Sequence, residues 1–172
     1  YRYHHSDNLY NMLVKIDGDV YEPERFLQDY QSNLSKELRN HHFLTCVENC
    51  LWDTRHLVDG ARKTVCHGDL NRRNFIRAED NQLYLVDWEM VKIADPILDI
   101  SQLLVQYIDF KNWDAWFDLY GLRITYDIYQ RIEWYSMLNL LNMIKKDYQE
   151  NRMMAMNHKI LKLKHIYNNR YL

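Results

Sequence analysis

The chain has 172 residues, 47% hydrophobic and 27% charged, with a formal net charge of −2. That length buries a real core within one domain, and the composition is that of a folded globular protein rather than a disordered one. The near-neutral charge without a basic block argues against sustained binding to nucleic-acid phosphates or an anionic membrane, and no apolar run approaches the ~18 residues of a membrane span.

Only four glycines and two prolines punctuate the sequence, so long regular elements are expected. The opening Tyr1-Arg2-Tyr3-His4-His5 lacks the basic-then-apolar order of a cleavable signal, which makes a cytoplasmic location the expectation. Residues 1–20 show no clear period. Pro23 then suits the first turn of a helix in which Phe26, Leu27, Tyr30, Leu34 and Leu38 recur at helical spacing. A second helix fits Phe43, Val47, Cys50, Leu51, Thr54 and Leu57, with Gly60 as its stop. Cys46, Cys50 and Cys66 form no paired framework and are expected as buried or half-buried thiols.

The character then changes. Thr64-Val65-Cys66 is a short β-branched run, and Phe75-Ile76-Arg77 with Gln82-Leu83-Tyr84-Leu85-Val86 brackets the turn-like Glu79-Asp80-Asn81 as a hairpin. After Pro96 the helical period resumes. Ile97, Ile100, Leu104, Tyr107 and Ile108 form one stripe, and Trp113, Trp116, Phe117 and Tyr120 another that stops at Gly121. Ile128 to Ile144 carries the longest stripe, and Met153, Met156, Ile160, Leu163 and Tyr167 the last. Such stripes read as core rather than as a cofactor box.

The chemistry concentrates in one spacing: His67-x-Asp69-x-x-x-x-Asn74, a hairpin, then Asp87 at the end of an apolar strand. Phosphoryl transfer from ATP needs an acceptor held in line, a carboxylate near its hydroxyl proton, and magnesium bridging the phosphates. A loop with Asp and Asn five residues apart can aim the Asp at the acceptor and the Asn at the metal. A second carboxylate on the returning strand completes a sparse oxygen clasp of the kind Mg2+ prefers. Taken singly, Asp69 and Asp87 read as ordinary turn or strand-end residues and His67 as a core histidine. The ordered set is what points to a kinase. A metal-dependent hydrolase built from His67, Asp69 and Asp87 is a weaker reading of the same residues.

His67-Gly68-Asp69 with Asn74 resembles the catalytic loop of protein-kinase-like enzymes in its aminoglycoside/choline kinase version. Asp87-Trp88-Glu89 resembles their metal-binding motif, and Asp95-Pro96 with Asp99-Ile100 the helix start that follows. The resemblance implies Asp69 as catalytic base, Asn74 and Asp87 as magnesium ligands, and His67 as a packed residue that orients the loop. It implies Asp99 as a brace on the loop's backbone. Arg73, next to Asn74, either stabilises charge on the transferring phosphoryl group or makes an outward salt bridge. The implied fold is mainly α with a small β hairpin, the C-terminal lobe of a protein-kinase-like (aminoglycoside phosphotransferase/choline kinase) fold. Residues 1–172 would form one domain with catalytic loop 67–74 and metal-binding motif 87–89.

His4-His5-Ser6, Leu85-Val86-Asp87-Trp88-Glu89, Trp113-x-x-Trp116 with Tyr120-Gly121, and Glu133-Trp134-Tyr135 are similar to the CcrZ/YtmP family of bacterial cell-cycle regulator kinases. That likeness implies ATP and Mg2+ as cofactors and a simple sugar such as ribose or 2-deoxyribose as acceptor. It also implies a cell-division or replication-initiation protein as partner. Gly18, Gly60, Gly68 and Gly121 are too scattered for a phosphate-covering loop, and no strand lysine of the Val-Ala-Ile-Lys type precedes the catalytic loop. With no initiator methionine, the chain reads as a C-terminal lobe whose N-terminal lobe is absent and which alone is inactive. Leu9, Met12, Leu13, Val14 and Ile16 would then be an apolar, hinge-facing surface. The alternative is a non-catalytic regulatory module that keeps the kinase fold and works through protein contacts.

Overall fold

Ser6 starts the first helix by accepting the Leu9 amide on its hydroxyl at 3.2 Å, in a computed structural model that describes residues 3–16, 18 and 20–170. This helix, α1 (Asp7–Lys15), is where the sequence shows no period, and it buries no residue. Met12, Val14 and Ile16 stand exposed, so no core-facing stripe exists for periodicity to report.

α2 (Pro23–Gln31) and α3 (Lys36–Arg39) replace the single helix that Phe26 to Leu38 predict. The break has a local cause. The Ser32 hydroxyl donates to the Asp29 carbonyl, Asn33 takes a φ of 54°, and Ser35 caps α3 by accepting the Leu38 amide. Leu34 and Leu38 still reach the core, so the apolar spacing survives although the backbone does not stay helical. α4 (His42–Thr54) ends a turn before the expected Leu57, where Arg55–Leu57 tightens into a 3-10 turn, and Gly60 follows with a φ of 70°.

Among the described residues, four short strands form two antiparallel pairs. β1 (Thr64–Cys66) pairs with β4 (Lys92–Ala94), with Val65 opposite Ile93. β2 (Phe75–Arg77) pairs with β3 (Leu83–Leu85), with Phe75 opposite Leu85. β4 escapes a sequence reading because Lys92-Ile93-Ala94 is not a β-branched run like β1; its full burial comes from its pairing with β1. α5 (Ile97–Tyr107), α6 (Trp113–Tyr120), α7 (Tyr126–Gln149) and α8 (Met153–Asn169) complete the chain, with Gly121 in left-handed geometry after α6.

α7 runs through the core. Its Trp134 is fully buried and donates its indole N–H to the Leu51 carbonyl at 3.1 Å, joining α7 to α4. Trp113 and Tyr135, read from the sequence as core, are buried in it. Arg131 on α7 forks onto buried Asp95 at 2.8 and 2.5 Å, and Asp95 also accepts the Ile97 amide that opens α5. Among the described residues no helix is long and apolar enough to cross a membrane.

Candidate active site

β1 leads into His67, which is fully buried and occupied on both ring nitrogens. Nε2–H donates to the Val86 carbonyl at 3.0 Å, and Nδ1 accepts the Asp69 amide at 3.3 Å. The imidazole thus ties the loop to the strand that returns from the hairpin. No lone pair is left for a metal, which removes the histidine from any hydrolase built on His67, Asp69 and Asp87.

The loop after His67 is held by one face of α5. Asp99, fully buried, accepts the His67 amide at 2.8 Å on Oδ2 and the Gly68 amide at 3.0 Å on Oδ1. Gln102 accepts the Leu70 amide at 2.8 Å, and Gln106 donates to the Leu70 carbonyl at 3.3 Å. The Tyr107 hydroxyl accepts the Arg72 amide at 2.7 Å. Residues 99, 102, 106 and 107 share a helix face, so α5 presents a row of partners to otherwise unpaired loop amides. Only Asp99 of this row was read from the sequence. Gln102 and Gln106 carry no such signal, and Tyr107 reads in the sequence as part of the apolar stripe.

Asp69 lines the cleft described below. Its Oδ2 accepts from Asn71 Nδ2 at 2.9 Å and, more weakly, from Asn74 Nδ2 at 3.4 Å. Asn74 is buried and also donates to the Asp69 carbonyl at 2.8 Å, which leaves its Oδ1 as the atom available to a cation. Asp87 arrives by a different route. The Val86 amide donates to the Asn74 carbonyl at 2.9 Å, so the residue before Asp87 is stitched to the 67–74 loop. Asp87 itself is exposed with a φ of 65°, a left-handed geometry that costs energy for a residue with a side chain and is concentrated at functional sites. One carboxylate and one amide oxygen are hard, sparse donors of the kind magnesium takes beside phosphates and water.

A third group, missed as such from the sequence, sits behind the loop. Tyr3 donates its hydroxyl to Asp99 Oδ2 at 2.9 Å, and His4 Nε2 lies 3.2 Å from the same oxygen. Trp88 packs edge-on against both Tyr3 and His67, at 5.3 and 4.7 Å between ring centroids. Burial, then the Asp99 carboxylate, pushes the Tyr3 phenol well above its usual range, keeping it a neutral donor. Burial likewise pushes the Cys66 thiol up. His4, Cys66 and Asp99 offer ligand atoms within 4.8 Å of one another, but both Asp99 oxygens are taken by amide, phenol and imidazole donors, and Cys66 Sγ donates toward the Ala94 and Asp95 carbonyls at 3.5 and 3.4 Å. This cluster fits a brace better than a metal site.

The 67–74 loop opens onto a cleft of about 480 Å³. Gly68, Asp69 and Arg73 of the loop line it together with Met90, Lys92 and residues of α2, α5, α7 and α8. Arg73 is exposed at this cleft and its guanidinium makes no ion pair among the described residues, so the outward salt bridge is not formed. Asn74 and Asp87 do not line the cleft.

Comparison with known proteins gives a consistent set of likenesses. The sequence profile of the phosphotransferase enzyme family (APH) matches residues 16–135. The choline kinase LicA from Streptococcus pneumoniae is similar with a TM-score of 0.65 and 20% identity, over 86% of this chain and 56% of that one. A choline/ethanolamine kinase family protein from Mesorhizobium loti is similar with a TM-score of 0.70 and 16% identity, over 96% of this chain and 57% of that one. A GDP and kanamycin complex of APH(2")-IIia is similar with a TM-score of 0.61 and 15% identity, over 92% and 56%. The chain therefore spans a little over half the length of these relatives, and shares with them the kinase-like fold.

Proposed function

The chain belongs to the phosphotransferase enzyme family, and from that premise we propose that it is the catalytic and metal-binding lobe of a small-molecule kinase using ATP and magnesium. The observation that carries the reading is Asp69 on the cleft wall, hydrogen-bonded to Asn74, with Asp87 exposed one residue beyond the Val86–Asn74 bond. Asp69 accepts the proton of the acceptor hydroxyl as that oxygen attacks the γ-phosphorus. The bond to the β-phosphate oxygen breaks, and ADP leaves. Asn74 and Asp87 would hold the magnesium, which supplies charge neutralisation at the phosphates. Arg73, free at the cleft, adds positive charge near the transferring group. Asp99, Gln102 and Gln106 keep the loop in place, and since positioning supplies most of the rate in this reaction they serve function as well as stability.

The glycine-rich loop and strand lysine that cover the nucleotide belong, in this proposal, to an N-terminal lobe. The exposed Met12, Val14, Ile16 and Val20 are consistent with a surface that such a lobe covers. The likeness of the flanking motifs to the CcrZ/YtmP family supports a simple sugar, ribose or 2-deoxyribose, as acceptor. The same likeness supports a cytoplasmic role in cell-cycle control with a division or replication-initiation partner. The test is transfer of labelled γ-phosphate from ATP to ribose, 2-deoxyribose and choline by the protein with its N-terminal lobe. Acceptor-dependent ADP formation is expected. Phosphate release that no acceptor alters would replace the kinase reading with hydrolysis.

A further inference from the structure

The cleft's charges select among acceptors. Arg73, Lys92, Lys146, Arg152 and Lys159 line it, against the carboxylates Asp29, Asp69 and Asp147, an excess of two positive charges. The carboxylates are also poorly placed for a cationic ligand. Asp147 is buried and already neutralised, with Arg152 at 2.7 Å and Lys159 in contact. Asp29 is exposed at the rim, and Asp69 is needed for the reacting hydroxyl.

A quaternary ammonium is recognised by open aromatic faces. Tyr21 and Phe26 are the aromatic residues of the lining, and the Tyr21 ring already carries the Arg25 guanidinium at 4.2 Å and the Lys92 ammonium at 4.5 Å. Phe26 is buried, with Lys92 at 6.0 Å from its ring. Lys146, by contrast, is exposed on the cleft and makes no ion pair among the described residues. Arg152 beside it pairs through Nη2 with both Asp147 and Glu150 at 2.7 Å, yet keeps about half of its side chain exposed, with Nη1 and Nε as further guanidinium donors to offer.

We infer that the acceptor is a hydroxylated compound bearing an anionic group, phosphate or carboxylate, which Lys146 and Arg152 hold while its hydroxyl faces Asp69. This rests on the kinase reading of the same cleft and narrows its sugar to one carrying such a group, in preference to the free sugar. Choline-like and aminoglycoside-like cations are rejected.

Titrate the chain at low ionic strength with ribose 5-phosphate, ribose and choline, following heat and the amide resonances of residues 68–73 and 138–147. Ribose 5-phosphate is expected to bind at least ~tenfold more tightly than either other compound. Lys146→Glu is expected to abolish that preference, with Lys146→Gln reducing it; Lys146 is exposed, and circular dichroism checks that each variant keeps the fold. Choline binding as tightly as ribose 5-phosphate, an unaltered preference in Lys146→Glu, or no saturable binding of ribose 5-phosphate overturns the inference. Phosphoryl transfer to choline by the lobe-complete protein would overturn it while sparing the kinase reading. Tight ribose 5-phosphate binding with no transfer to any hydroxyl would support the anionic subsite and sink the kinase reading.

Discussion

Asp99 and Asp69 are both carboxylates of one site, and their surroundings give them opposite sensitivities. Asp99 is fully buried and accepts from His67, Gly68, Tyr3 and His4. Asp99→Ala orphans buried amide donors and is expected to cost about 3 kcal/mol or more in denaturant unfolding. Asp69 is half-buried, and Asp69→Asn is expected to leave unfolding within ~1 kcal/mol of wild type. Tyr3, Tyr30 and Tyr135 add a pH dependence. Burial is the first cause in each case, aided by Asp99, Glu48 and Asp95 respectively, and it pushes all three phenols above the ordinary value of 10.0. A raised folded-state value means the unfolded chain loses these protons first. Stability is therefore intact below pH 10 and falls as pH rises beyond it. Thermal midpoints from pH 8 to 11, with phenolate absorbance followed in parallel, should show tyrosine ionisation coinciding with unfolding. Ionisation of all the tyrosines in a still-folded chain would contradict this. At this scale Asp69, Asn74 and Asp87 were legible because their order along the chain is itself the signal. Tyr3, Gln102, Gln106 and Tyr107 were not, because each meets the loop through tertiary contacts that spacing does not encode.

The elements that present the site are short, and their fit is set by backbone approach. Gly68 has a φ of 79°, and a Cβ there would lie 2.5 Å from the Met90 carbonyl oxygen and 2.9 Å from Lys92 Cε. The catalytic loop and the segment after Asp87 thus touch backbone to backbone, which only glycine permits. Gly68→Ala is expected to lose about 1–2 kcal/mol from the left-handed backbone alone, with more from displacing Met90. Unfolding should report that loss, and the amide resonances of 67–74 and 88–92 should move together. Wild-type stability with unshifted resonances would refute the close approach. The long helices were readable because their buried stripes repeat over many turns. α1 was not, since it buries nothing, and β4 was not, since Lys92-Ile93-Ala94 has neither the β-branched run of β1 nor the flanking turn that marks β2 and β3. The α2–α3 break was hidden because Leu34 and Leu38 keep helical spacing across a left-handed Asn33.

On the scale of the molecule, a helical body built around α7 carries a cleft lined by both Asp69 and Asp147. The fold class was legible from the switch between helical periods and a short β segment. The cleft's charge was not, because Lys92, Lys146, Arg152 and Lys159 are scattered in sequence and only packing gathers them. The 172 residues contain no glycine-rich loop, so the chain by itself is expected to bind ATP weakly and turn it over negligibly. Calorimetry on the chain beside the lobe-complete protein checks this, and equal affinity would mean that the nucleotide site is complete within these residues. The central claim, that Asp69 is the base and Asn74 with Asp87 the metal clasp, is tested most directly by steady-state transfer in the lobe-complete protein across a range of magnesium concentrations. Asp69→Asn is predicted to lose roughly 10²–10⁴-fold in turnover at every magnesium level, while Asp87→Ala recovers in part as magnesium rises. Near-wild-type turnover in Asp69→Asn, or an Asp87→Ala defect that magnesium leaves untouched, would contradict the account.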